Sequence, residues 1–82
     1  MNNDQDISIV VAAALRYALG RRSYIVSTIQ NFILRHKDNN LIKRDKHLYI
    51  TDIKKFLDGP TAEFMDEYTL DSWKTFLQEL EK

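Results

Sequence analysis

Eighty-two residues hold one domain, and a chain this short covers only about 60–65% of the surface that its unfolded form exposes, so its core is thin. With no cysteine and two histidines, neither disulfides nor a structural zinc site is expected to support it, and stability must come from packing or self-association. Twelve basic and twelve acidic residues cancel to zero net charge, which weakens the bulk electrostatic attraction on which nucleic-acid binders depend.

Two glycines and one proline leave few breaks in the chain, which favours helices over a turn-rich β fold. Residues 1–5 read as a frayed end, and Asp6 is the expected cap of a first helix over residues 6–19. Ile7, Val10, Val11, Ala14, Leu15 and Ala18 recur at the 3–4 spacing of one face, and Ala12 and Ala13 widen the arc enough to suggest dimerisation. Gly20 stops this helix. Ser23 is the expected cap of a second helix over residues 24–36, with Ile25, Ile29, Phe32 and Ile33 as its buried stripe and Val26 alongside. Arg35, His36 and Lys37 close it, where positive charge complements the helix dipole.

The third segment admits two readings. Residues 47–50 fit a short strand, whereas Tyr49, Ile53, Phe56 and Leu57 fit a helix over residues 45–57. A lone strand would leave its backbone groups unpaired, so helix is preferred. Gly59 and Pro60 end the segment. Residues 61–68 read as a helical turn or loop with Phe64, Met65 and Tyr68 facing inward. Thr69 then caps a last helix over residues 70–81, whose inward face is Leu70, Trp73, Phe76, Leu77 and Leu80. The expected fold is a single all-α domain, residues 1–82, arranged as a small four-helix bundle.

The longest nearly apolar stretch, residues 7–15, is far short of the ~20 residues that span a bilayer. Asp4 and Asp6 precede it in place of a basic segment, so no signal peptide is expected and a cytoplasmic location is. Charge is segregated along the chain. Residues 16–55 carry ten basic groups against Asp38, Asp45 and Asp52, a net of +7, whereas residues 56–82 carry seven acids against Lys74 and Lys82, a net of −5. Such asymmetry either steers a partner or lets basic and acidic helices neutralise each other side by side.

No catalytic pattern stands out. His36 and His47 lie in neither a metal-ligand nor a triad spacing, Asp45, Asp52 and Asp58 read as solvated carboxylates among lysines, and two glycines make no phosphate loop. No enzyme activity, cofactor or metal is expected. Helix, Gly20 turn and helix do outline a helix-turn-helix, so a small nucleic-acid-binding regulator is the alternative function. Against it, Arg16 stands where that motif needs a small residue, and residues 24–33 offer only Ser27, Thr28, Gln30 and Asn31 to read bases. Arg16 is expected to pair with Asp52 or Asp71. Arg21 and Arg22 stand open between a structural role and a clamp for phosphate or carboxylate. Trp73, at helical spacing with Leu70 and Leu77, is expected in the core, and Tyr17 is an aromatic candidate for an interface.

Residues 14–32, ALRYALGRRSYIVSTIQNF, resemble a motif of small uncharacterised proteins from bacteriophages and prophages, in which an LRYALGR stretch is followed by Ser or Thr, then Tyr and a hydrophobic helix. Ile50-Thr-Asp52-Ile53 and Asp71-Ser-Trp73 fit the later part of that pattern, although Thr51 replaces the usual arginine before the Asp-Ile pair. The resemblance implies Arg16, Tyr17, Gly20, Arg21, Tyr24, Asp52 and Trp73 as signature positions and a helical third segment. The resemblance supplies a context rather than a mechanism: for a small phage protein without catalytic residues, the expectation is a non-catalytic binder in the bacterial cytoplasm that docks on a host protein, such as a defence or replication factor, and modulates or inhibits it. The expected partner-binding residues are Arg21, Arg22 and Tyr17 near the glycine turn, and Glu63, Asp66 and Glu67 on the acidic side, which would imitate nucleic acid.

Overall fold

The computed structural model describes residues 3–21 and 24–82, with the side chains of residues 3–6 and 8 left aside. Among them are four α-helices, α1 (Asn3–Ala18), α2 (Tyr24–Arg35), α3 (Asn40–Asp58) and α4 (Glu67–Glu81), with a 3-10 turn (Pro60–Phe64) between the last two. No strand occurs among the described residues. The all-α bundle is therefore the fold, and residues 47–50 lie within helix α3.

Several boundaries differ from those read off the sequence. Helix α1 starts at Asn3, so residues 3–5 are helical and Asp6 sits inside the helix rather than capping it. Residues 1–2 and the Ser23 cap fall outside the described residues. Helix α1 ends as expected, with Gly20 in the left-handed region at φ 84° and Arg21 N–H donating to Ala18 O at 3.1 Å.

Helix α3 is longer than its hydrophobic spacing indicated. Asn39 caps it: Oδ1 accepts from Leu41 N at 2.9 Å and Ile42 N at 3.4 Å. That cap brings Ile42 into register with Tyr49 and Ile53, and all three are buried. The helix stops at Gly59, but not through positive φ. Gly59 has φ −90°, and a Cβ there would lie 2.9 Å from Lys55 O. Pro60, which has no N–H to give, follows immediately.

The segment before α4 departs most from expectation. In the 3-10 turn Ala62 is the buried residue, whereas Phe64 and Tyr68 are 77% and 84% exposed. Helix α4 begins at Glu67 and is capped by Asp66, whose Oδ1 accepts from Thr69 N at 2.7 Å. Thr69 is thus the third helical residue and is buried, not the cap. Asp is at least as good a cap as Thr, and choosing Asp66 also lets Thr69 share the inward stripe with Trp73, Phe76 and Leu80. Tyr68 stands about 140° around the helix from Trp73 at 3.6 residues per turn, and so points out.

Helix α1 packs against α2 and α3, α3 against the 3-10 turn and α4, and α4 returns to α2. The core comprises Val11, Leu15, Ala18, Val26, Ile33, Ile42, Tyr49, Ile53, Trp73, Phe76 and Leu80. Trp73 is fully buried, edge-on to Phe56 at 6.1 Å and to Phe76 at 5.6 Å, a geometry that sets ring edges against ring faces. On α1 one residue falls off the expected buried face, and on α2 the face is rotated. Val10 is 52% exposed rather than part of the buried face of α1. In α2 the buried residues are Val26, Gln30 and Ile33, whereas Ile25 reaches the surface. This rotation places a glutamine inside the bundle.

Candidate functional site

The seam between α2 and α4 is not closed. An open groove runs along it in two lobes that share Tyr68 and Ser72. The lobe near the Gly20 turn, about 330 Å³, is lined by Arg21, Tyr24, Val26, Ser27, Asp66, Tyr68, Thr69 and Ser72. The other, about 400 Å³, is lined by Gln30, Asn31, Leu34, Tyr68, Asp71, Ser72, Thr75 and Phe76. One hydrogen bond crosses the floor: Ser72 Oγ donates to Gln30 Oε1 at 3.0 Å. Tyr24 at 86% and Tyr68 at 84% are the two most exposed large apolar residues among those described, and both line the first lobe.

Two of the six candidate residues, Arg21 and Asp66, line one end of this groove, and Tyr17, which lines neither lobe, touches Arg21. Arg21 lies against the end of α1, with its guanidinium 4.1 Å from the centre of the Tyr17 ring and Nε donating to Tyr17 O at 2.8 Å. The side chain thereby satisfies one of the last carbonyls of α1 and still lines the lobe that Asp66 lines from the opposite side. Arg21 and Asp66 come from 45 positions apart in the sequence, and only the bundle brings them together. Glu63, in the 3-10 turn, and Glu67, in the first turn of α4, are exposed but line neither lobe. Arg22 lies outside the described residues.

Arg16 does meet Asp52, and not Asp71, though loosely: Nε lies 3.9 Å from Oδ2 and the arginine is mostly exposed. Such a pair contributes at most about 0.5 kcal/mol. On α3, Arg44 holds Asp45 through Nε at 2.9 Å and Nη2 at 3.0 Å, which raises the guanidinium pKa beyond its already high ordinary value. The rings of His36 and Phe32 lie 4.7 Å apart between centres at a tilt of 55°, and His47 is exposed on α3. No group of three or more His, Cys, Asp or Glu side chains that could hold a metal occurs among the described residues. No helix among them is long and apolar enough to cross a membrane.

Tyr24, Gln30, Tyr68, Asp71 and Ser72 line the groove and are not among the expected partner-binding residues. A signal existed for Tyr68, since it falls off the Trp73–Phe76–Leu80 stripe once α4 is started at Glu67. None existed for the Gln30–Ser72 contact, which joins residues 42 positions apart. Comparison of the chain with protein-family models, with curated proteins and with solved structures returns no match.

Proposed function

We propose that this chain is a non-catalytic binding protein that docks on another protein through the α2–α4 groove and modulates it. In the phage setting implied by the LRYALGR resemblance, the partner is a host factor of defence or replication, met in the bacterial cytoplasm. One observation carries the reading: two tyrosines, each more than four-fifths exposed, stand at a single groove that also holds Arg21 and Asp66. Tyrosine and arginine are the residues that dominate binding energy when an interface covers them, and leaving two tyrosine rings in water has no folding benefit. The groove is a trough open to solvent, which suits a protein surface better than a small substrate.

The nucleic-acid alternative draws less support. Gln30, one of its four base readers, is buried against Ser72, and Ser27 and Asn31 line the groove beside α4. Self-association through α1 is supported by the exposure of Ile9 and Val10. Sedimentation showing only monomer at high concentration removes it.

The test is capture of partners from nuclease-treated host lysate on the immobilised chain. One dominant protein is expected on the wild type, lost from the Tyr24→Ala/Tyr68→Ala double variant and retained by Leu48→Ala, which truncates an exposed apolar residue outside the groove. Retention that disappears with nuclease, or that ignores the tyrosines, overturns the reading.

A further inference from the structure

Gln30, which lines the second lobe, carries a buried polar group that the fold leaves unsatisfied. Gln30 is 6% exposed; Oε1 accepts from Ser72 Oγ, and buried Nε2 has no partner. Turning the amide over would pair Nε2 with Ser72 and orphan Oε1 instead, so one end of the amide lacks a partner either way. The other two buried unpartnered side-chain atoms among the described residues, Tyr49 Oη and Trp73 Nε1, belong to core residues and line neither lobe. Gln30 alone of the three lines a groove.

A main-chain peptide unit is the chemistry that answers this amide, because it supplies both an acceptor C=O and a donor N–H. The lobe also states a charge preference. Asp71 is its one charged lining residue, is exposed, and forms no ion pair with any described cation. Tyr68 lines the same lobe with its ring in solvent. A carboxylate and an open aromatic face in one trough favour a cationic side chain.

We infer that this lobe binds an extended peptide segment, its main chain paired with the Gln30 amide and a lysine or arginine side chain held by Asp71 and Tyr68. The inference rests on the protein-docking reading and names the partner's chemistry: a flexible basic segment, not a folded acidic surface. It also accounts for an amide that is costly to bury unpaired, since a group retained against stability is expected where function uses it.

The experiment probes an array of acetylated random octapeptides, each with a fixed central Arg, Lys, Glu or Gly, using the labelled full chain. Peptides centred on Arg or Lys are expected to bind about tenfold better than those centred on Glu, as one charge-assisted contact allows. Asp71→Asn should erase that preference while leaving weak binding. Gln30→Met should weaken binding of every class about tenfold with Tm unchanged or raised, which separates loss of the contact from loss of the fold. The inference is overturned by equal binding of all classes, by a preference for Glu, by wild-type binding of Gln30→Met, or by an array with no binder. In the last case, a lysate partner that still depends on Tyr24 and Tyr68 leaves protein docking standing with a folded surface as its target.

Discussion

Replacing Gly20 by alanine isolates the cost of one backbone conformation. At φ 84° an L-residue with a Cβ is disfavoured by about 1–2 kcal/mol, because Cβ crowds the following carbonyl. Space is not the obstacle: a Cβ on Gly20 would meet Thr61 Cγ2 at 3.4 Å. Alanine also restricts the unfolded chain, which returns about 0.4–1 kcal/mol. The net expectation for Gly20→Ala is a loss of about 1 kcal/mol, and about 4–8 °C in Tm for a domain of this size. Gly20→Asn should lose about half as much, since asparagine tolerates the left-handed region. Gly59 supplies the contrast. Its φ of −90° suits any residue, but a Cβ there lies 2.9 Å from Lys55 O, a backbone atom that cannot swing aside. At position 59 asparagine should therefore be no better than alanine. Urea unfolding followed by circular dichroism measures all four variants. Equal stability of Gly20→Ala and wild type, or an asparagine advantage at 59 rather than at 20, refutes the assignment of strain to Gly20 and of crowding to Gly59.

Further outcomes are expected from side-chain changes. Trp73→Ala should lose about 3–5 kcal/mol, most of the stability available to a domain this small, and denaturant titration should find it largely unfolded in buffer. Asp66→Ala should lose about 1 kcal/mol of cap energy while Asp66→Asn keeps most of it, and thermal melts that show no difference between the two variants leave the cap unsupported. A double-mutant cycle on Arg16 and Asp52 should give a coupling below about 0.5 kcal/mol, consistent with a 3.9 Å separation in solvent. Charge reversal at Glu63 and Glu67, which line neither lobe, should alter the salt dependence of partner association more than its final affinity, as stopped-flow rates at two ionic strengths would register. An unchanged association rate rejects steering by the acidic side.

Local chemistry alone determined the fold class of this chain, the termination of α1 at Gly20, the stop at Gly59 and Pro60, and the burial of Trp73. Each of these follows from the backbone freedom of a residue or from a spacing within a few turns of one helix. What periodicity leaves undetermined is where on a helix the covered arc is centred, since that depends on the neighbours that cover it. Ile25 and Val10 fit an apolar stripe as well as Val26 and Val11 do, and the packing of α1, α3 and α4 chose between them. Capping was ambiguous for a similar reason: Asp66 and Thr69 both suit a helix start, and the choice followed from which of them could be buried against the bundle. The groove belongs wholly to tertiary structure, because Gln30, Ser72, Arg21 and Asp66 converge only where α2 and α4 meet without sealing their seam, a contact between segments too far apart in the chain for any local pattern to report.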